Sequence, residues 1–225
     1  MWNRISEFFA FLCVFVSLWL YVNPVFSDEQ IVLARLKYGG GGDWYNGPTE
    51  IPNFARELKK RVKMNVSEKE KVVTLLDNDL YKYPFLFMTG HGNVSFTTQE
   101  VKALREYLEA GGFLYADDDY GMDTSFRREL KKVFPDAKWQ EIPWNHPLYN
   151  GYYKFPKGLP KIHEHEPGPP KGLGIFIKGR LVVFYTFNTN ISDGWDSPDV
   201  HNDPPEKREQ AFRMGVNLLV YVLTN

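Results

Sequence analysis

The chain has almost no cysteine, with only Cys13 among its 225 residues. This excludes a disulfide scaffold and a zinc site built from several thiolates. The chain also has almost no net charge, because 27 Lys and Arg are balanced by 28 Asp and Glu, which gives a formal net charge of −1. Nucleic-acid-binding domains normally show a basic excess, so the composition argues against nucleic acid as a partner.

The first 27 residues have the pattern of an export signal. Arg4 supplies a positive charge, and residues 8–22 form an uncharged apolar run. Val25 and Ser27 suit positions −3 and −1 of a signal-peptidase site, so we expect cleavage before Asp28. A spanning helix needs about 20 apolar residues, which makes a retained membrane anchor the alternative. The sequence therefore predicts an exported protein, periplasmic or extracellular, with no membrane contact except through an uncleaved N-terminal segment.

Residues 28–225 have the length of a single domain with one core. Apolar runs that predict buried strands alternate with segments of helical periodicity. The predicted strands are residues 31–38, 84–89 and 113–116, and the predicted helices are residues 52–63, 97–110 and 123–134. Asp123 is expected to cap the third of these helices. This alternation predicts an α/β domain with a flavodoxin-like parallel sheet and helices on both faces.

The C-terminal part predicts a hairpin followed by a helix. Residues 175–177 and 180–185 flank the two-residue turn Lys178-Gly179, and apolar residues from Ala211 to Val222 recur with helical spacing. Residues 138–170 are rich in proline, glycine, tyrosine and histidine. We expect ordered loops with short strands there.

Three predicted strands end in unusual loops, namely residues 39–44, 90–93 and 117–120. In an open parallel sheet, ligands bind beyond the carboxyl ends of the strands. We therefore expect these ends to lie side by side around one pocket. The residues expected to bind a ligand are Gly40, Gly41, Asp43, Trp44, Gly90, Gly92, Asn93, Asp119, Trp195 and Asp196.

Asp117, Asp118 and His91 are the predicted catalytic residues. Consecutive aspartates at a strand end repel one another unless a cation, hydrogen bonds or solvent offset the repulsion. If Asp117 serves a ligand, Asp117→Asn should abolish binding while stability stays unchanged or rises slightly. If it is structural, the same change should lower stability by about 1 kcal/mol or more.

A divalent metal is left open as a cofactor. His163 and His165 would place two imidazoles on one face of a strand, with Glu164 and Glu166 on the other, but the spacing fixes no third ligand. Trp44 and Trp195 would stack on a sugar ring or pin their own loops.

The segments ARLKYGGGGDWYNGP, YPFLFMTGHG, GGFLYADDD, HPLYNGYY and NTNISDGWD carry a family resemblance. Together they resemble an uncharacterised bacterial domain-of-unknown-function family, numbered four-one-five-nine. That family is similar to the class I glutamine amidotransferase-like superfamily and to trehalose-utilisation-like proteins. Amidotransferases of the superfamily place a nucleophilic cysteine after the strand that matches residues 113–116, where this chain has Asp117. The resemblance therefore implies the fold without glutamine hydrolysis.

The turn Gly90-His91-Gly92 matches a superfamily loop that supplies oxyanion-binding amides, so the resemblance keeps anion or carbonyl binding open. The function predicted first is binding of a small polar molecule, with a carbohydrate as the first choice. Two other functions remain open. One is a hydrolase or lyase with an Asp/His or metal-assisted site, and the other is a non-catalytic interaction module of the cell envelope.

Overall fold

The computed structural model describes residues 30–163 and 165–225. The predicted signal segment and Glu164 therefore lie outside the described residues. The strands are β1 Ala34–Leu36, β2 Lys71–Val73, β3 Phe85–His91, β4 Phe113–Tyr120, β5 Gln140–Glu141, β6 Lys171–Ile177 and β7 Arg180–Phe187. The helices are α1 Glu50–Val62, α2 Thr98–Glu109, α3 Asp123–Val133, α4 Pro147–Asn150, α5 Pro198–His201 and α6 Pro205–Thr224.

The strands form one sheet in the order β2-β1-β3-β4-β7-β6-β5. Strands β2, β1, β3, β4 and β7 run parallel, whereas β6 and β5 are antiparallel to their neighbours. The predicted flavodoxin-like α/β fold is confirmed. The chain order reverses between β1 and β3, and such a reversal opens a crevice at the carboxyl edge of a sheet.

Helices cover both faces of the sheet. On one face, α1 and α6 bury apolar side chains such as Phe54 and Leu219 against Phe87 and Tyr115. On the other face, α2 and α3 bury side chains such as Leu104 and Leu130 in a second cluster. Because apolar residues fill both sides, the carboxyl edge is where polar groups of the central strands gather.

The predicted start of α2 is confirmed. The Thr97 hydroxyl accepts the Glu100 amide at 3.2 Å, and the Glu100 carboxylate accepts the Thr97 amide at 2.8 Å. This reciprocal pair is a capping box. After the helix, Gly111 has a φ of 119°, a conformation that favours glycine.

Several boundaries differ from the prediction. Helix α1 begins at Glu50, not Pro52, since proline is tolerated in the first helical turn. Asp123 was expected to cap α3, but it is the first helical residue, and Met122 precedes it as the cap position. The edge strand β2 was not predicted because only its last residue is buried. The hairpin of β6 and β7 around Lys178 and Gly179 is as predicted.

None of the helices within residues 30–225 that the structure describes is long and apolar enough to cross a membrane.

Candidate functional site

The loop after β1 packs directly on the loop after β3. The Gly42 amide donates to the Asn93 carbonyl at 3.0 Å, and the Ser95 amide donates to the Gly39 carbonyl at 2.8 Å. The Asn93 side chain donates to the Gly40 carbonyl at 3.0 Å. A Cβ at Gly40 would lie 2.7 Å from the Ser95 nitrogen, so this contact requires glycine. The predicted adjacency of these two loops is confirmed.

Arg35 anchors the base of the loop after β1. Its guanidinium is buried and donates to the carbonyls of Asn46 at 2.6 Å and Gly47 at 2.9 Å. It also pairs with Glu50 at 3.2 Å and Glu70 at 3.0 Å. Burial raises the pKa of Glu50 well above its usual range, although Arg35 opposes this effect. The loop is thus held by charge-assisted bonds to its own backbone.

Gly90 brings Asp43 and His91 together at the end of β3. Its φ is 137°, and a Cβ there would lie 2.5 Å from the Tyr38 hydroxyl and 2.8 Å from Asp43 Oδ1. A larger residue would push Asp43 away from the strand. Because this position is glycine, the Asp43 carboxylate reaches the His91 amide and accepts a hydrogen bond from it.

His91 lies between two carboxylates. Its Nδ1 is 3.0 Å from Asp43 Oδ2, and its Nε2 is 3.2 Å from Asp119 Oδ2. The imidazole is 46% exposed, whereas the Asp119 side chain is only 4% exposed. A histidine that bridges two carboxylates can donate a proton at either nitrogen, an arrangement suited to acid–base chemistry.

Asp119 is the central carboxylate of the carboxyl edge. It accepts from the Asn46 amide, and its Oδ1 accepts from Asn190 Nδ2 at 2.9 Å. Its Oδ1 also lies 3.7 Å from His165 Nε2. The pairing of β3 and β4 is irregular here, since Gly90 opposes Asp118 and His91 opposes Tyr120. Asp119 is thus an extra residue in β4, and such a bulge redirects a side chain.

Asp117 is fully buried below the carboxyl edge. Its Oδ2 accepts the Ser192 amide at 2.6 Å, and its Oδ1 accepts the Thr186 hydroxyl. Burial raises its pKa to about 6, against the lowering effect of these hydrogen bonds. Its carboxylate is therefore engaged by protein partners, and these contacts favour the structural alternative over the predicted catalytic role.

Asp118 points to the opposite face of β4, as the alternation of a strand requires. Its Oδ1 accepts the Met122 amide at 2.9 Å, and its Oδ2 accepts the Tyr185 hydroxyl at 2.9 Å. Burial raises its pKa, and these bonds lower it in part. Asp118 therefore supplies the cap of α3 that was predicted for Asp123. The repulsion expected within the aspartate run is reduced because successive side chains leave β4 in different directions.

The two predicted tryptophans do not offer a stacking platform together. Trp195 is completely buried, stacks on Phe54 with ring centroids 4.4 Å apart, and donates to the Ala211 carbonyl at 2.9 Å. Its burial favours the second predicted role, in which it pins its own loop, over contact with a ligand. Trp44 is half-buried, with the Lys37 ammonium 5.3 Å from its ring centroid.

Asp196 and His201 form an ion pair beside the buried Asp193. His201 Nε2 lies 3.3 Å from Asp196 Oδ2 and 3.6 Å from Asp193 Oδ1. The hydrogen bond to Asp196 raises the pKa of His201. Burial acts to raise the pKa of Asp196, but hydrogen bonds from His201 and Thr49 outweigh it and hold the pKa low. Burial, together with the negative charge of Asp119, raises the pKa of Asp193.

His163 and His165 lie on a loop and not on the predicted strand. Their ring centroids are nevertheless 4.8 Å apart. Burial and the nearby His163 lower the pKa of His165. His163 Nδ1 lies 3.3 Å from Asp203 Oδ1. The two imidazoles therefore lie close together, as predicted, although no strand places them on a common face.

A cleft of about 240 Å³ opens at the carboxyl ends of β4 and β7. Its polar lining comprises Asp118, Asp119, Asp123, Thr124, His165, Glu166, Asn188 and Asn190, and its rings are Tyr120 and Phe187. Tyr120 is 52% exposed, and its ring lies 5.1 Å from that of His165. Within the described part of the chain, no lysine or arginine lines the cleft.

The remaining predicted glycines, Gly41 and Gly92, have positive φ values and open space where a Cβ would stand. Gly92 reaches the cleft lining, since its amide donates to the Tyr120 carbonyl at 3.3 Å. Of the predicted residues, Asp118 and Asp119 line the cleft, and His91 and Asp43 reach it through Asp119.

Four residues of this region were not among the predicted site residues, namely Asn46, Tyr120, Asn190 and Asp193, although Tyr120 lies in the predicted strand-end loop of residues 117–120. Tyr120 was identifiable, because it directly follows the aspartate run at a strand end. Asn190 was not identifiable, because it meets Asp119 from a position 71 residues further along the chain.

The fold and the site define an α/β domain with a flavodoxin-like sheet and an acidic, histidine-rich carboxyl edge. The chain belongs to the family Domain of unknown function (DUF4159), whose pattern matches residues 32–223. A comparison with curated proteins finds no match. The wider likeness to glutamine amidotransferase-like proteins stays a prediction.

Proposed function

We propose that the domain binds a small, uncharged, hydroxyl-rich molecule of the carbohydrate class in the cleft beside Asp119. The observation that carries this proposal is the lining of the cleft, where carboxylates and amides surround an exposed tyrosine. Among the described residues that line it, His165 is the only basic side chain. Carboxylates repel phosphates and other anions, but they accept hydrogen bonds from hydroxyl groups.

Tyr120 supplies the apolar half of such a site. One face of a sugar ring is a row of C–H groups, and it packs well on an aromatic ring whose polar end stays in water. With Tyr120 52% exposed and Phe187 nearby, the cleft presents aromatic surface next to hydrogen-bonding oxygens. This role replaces the stacking that was expected of Trp195.

The proposal is tested by calorimetry and thermal melts of the purified protein with maltose, trehalose and cello-oligosaccharides. We expect at least one neutral sugar to bind, and a ligand at 100 times its Kd should stabilise the fold by about 2.7 kcal/mol. Tyr120→Ala and Asp119→Asn should each weaken that binding at least tenfold. No binding by any neutral sugar, combined with binding of an anionic one, would contradict the proposal.

Tyr81→Ala is the matched control. Tyr81 is 60% exposed and precedes β3, so it lies at the opposite edge of the sheet. We expect this variant to bind the sugar as the wild type does. Equal losses in Tyr81→Ala and Tyr120→Ala would assign the effect to general destabilisation.

A second candidate function, hydrolysis or elimination, is favoured by the position of His91 between Asp43 and Asp119. Both ring nitrogens lie within 3.2 Å of a carboxylate oxygen. Through Asp119, which lines the cleft, His91 can pass a proton to or from a bound hydroxyl or leaving group. His91→Asn distinguishes an enzyme from a binding module. If His91 is catalytic, this variant should lose turnover and keep its affinity for the sugar.

A further inference from the structure

Three histidines gather behind the cleft, around the buried Asp193. The ring of His163 lies 4.8 Å from that of His165 and 5.6 Å from that of His201, centroid to centroid. Asp193 is 2% exposed, and its Oδ2 accepts from Asn190 Nδ2 at 3.2 Å. Asp117 accepts a hydrogen bond from the backbone amide of Ser192, the residue before Asp193, and this contact helps to fix the position of Asp193.

Three of these side chains offer ligand atoms to a common point. One atom each from His163, His165 and Asp193 lies within 4.8 Å of the others. The point central to three atoms so spaced, where an ion would lie, is no more than about 2.8 Å from each of the three. Bonds from zinc to histidine nitrogen or carboxylate oxygen are about 2.0–2.2 Å. Side-chain shifts of less than about 1 Å therefore suffice to close the site on an ion.

Asp203 gives a second, independent indication. Its Oδ1 lies 3.3 Å from His163 Nδ1, and its side chain is only 7% exposed. Its Oδ2 is buried and has no hydrogen-bond partner among the described residues. A carboxylate on one imidazole nitrogen is the usual outer partner of a metal-binding histidine, since it fixes the ring and leaves Nε2 for the metal.

We propose that His163, His165 and Asp193 bind one divalent transition-metal ion, with zinc as the first choice, and that Asp203 orients His163. Two imidazoles and one carboxylate suit zinc and its neighbours in the first transition series, whereas magnesium and calcium prefer oxygen ligands alone. The metal site does not depend on carbohydrate binding. His165 also lines the cleft, so the ion would lie beside a molecule bound there.

Titration of metal-free protein with Zn²⁺, in competition with a chromophoric chelator, tests the site. We expect one ion per chain in the absence of any sugar. His163→Ala and Asp193→Ala should lower the affinity by at least about 100-fold, and Asp203→Asn should lower it by about 10- to 100-fold, as loss of an outer partner does. Mg²⁺ should not compete at equal concentration.

The control variant is His146→Asn. Among the described histidines, His146 alone lies away from both the proposed metal site and the carboxylates that flank His91. His146 Nδ1 accepts the Leu148 amide at 3.2 Å at the start of α4, and asparagine supplies a similar cap. This variant should bind Zn²⁺ as tightly as the wild type. Equal affinity in His163→Ala and the wild type, or no bound zinc at all, would overturn the proposal.

A measurement on the wild type keeps the proposal testable if a variant does not fold. In nuclear magnetic resonance spectra, Zn²⁺ should shift the imidazole signals of His163 and His165 and leave that of His146 unchanged. Shifts confined to His91 or His146 would place the ion elsewhere and overturn the assignment. Because no sugar is present, failure of carbohydrate binding leaves this result unaffected.

Discussion

Asp117 shows how one buried carboxylate sets a pH dependence. Its pKa is about 6 in the fold, because burial penalises the charged form more than the Thr186 and Ser192 hydrogen bonds favour it. In the unfolded chain, an aspartate has a pKa of about 3.9. The folded state therefore holds this proton more tightly, and the contribution of Asp117 to stability is greatest below pH 4.

We expect the free energy of unfolding to fall as pH rises from about 4 to about 6, by up to roughly 3 kcal/mol from Asp117. Asp117→Asn should flatten this slope. A structural Asp117 was expected to make this change cost about 1 kcal/mol. The contacts alter that expectation, because the asparagine oxygen can accept from the Ser192 amide and its NH2 group can donate to the Thr186 hydroxyl without a buried charge. Stability at pH 7 should therefore be unchanged or slightly higher. Chemical denaturation at a series of pH values measures both effects.

The matched control for this series is Asp136→Asn, the same chemical change at an exposed position. It should leave the slope between pH 4 and pH 6 as in the wild type. We also expect Asp117→Asn to keep ligand binding, because Asp117 does not line the cleft. An unaltered slope in Asp117→Asn would show that another group causes the pH dependence.

The convergence of two predicted site residues follows from where buried apolar strands end, while their roles stay predictions. His91 and Asp119 follow such strands, and the parallel sheet brings their ends together. For Trp195 the same reasoning left open whether it stacks on a sugar or pins its own loop, and its complete burial favours the second role. Apolar periodicity reports how helices and strands pack, but it does not report that a loop folds back into the core.

Helix α2 is an element whose start was fully predictable. Its capping box uses only residues within one turn, so the sequence contains all the partners. The cap of α3 was not predictable in the same way. Its acceptor, Asp118, belongs to β4 and reaches the Met122 amide only because the chain turns sharply after the strand.

We expect Thr97→Ala to lower the free energy of unfolding by about 1 kcal/mol, because the Glu100 amide loses its acceptor. Thr98→Ala changes the next residue, which is also exposed and has no role in the capping box. It should alter stability much less. Urea denaturation of the two variants checks this, and equal losses would show that the capping box contributes nothing specific.

For the molecule as a whole, the sheet and its covering helices followed from the alternation of strand and helix patterns. The edge strand β2 did not, because it is short and largely exposed. β5 lies in residues 138–170, where short strands were expected without bounds, because the position of so short a strand depends on pairing with a distant neighbour. The predicted export signal lies outside the described residues, so it stays a prediction.

We expect the mature protein to begin near Asp28, because the apolar run of residues 8–22 is short and small residues follow at the cleavage position. N-terminal sequencing of the protein recovered from the periplasm or the medium checks this. Changing Ser27 to a bulky residue such as tryptophan should block cleavage. Recovery of the wild type with residues 1–22 still attached, in the membrane fraction, would favour the anchor.

The buried Arg35 has a consequence for the speed of ligand binding. It holds the loop carrying Asp43 and Asn46 by its backbone carbonyls, while Gly40 and Gly42 press the same loop onto the next one. Asn46 in turn donates to Asp119 in the cleft, so this loop has little conformational entropy left to lose when a molecule enters, and it does not have to close first. Association with such a preformed site should follow a single exponential whose observed rate rises linearly with ligand concentration.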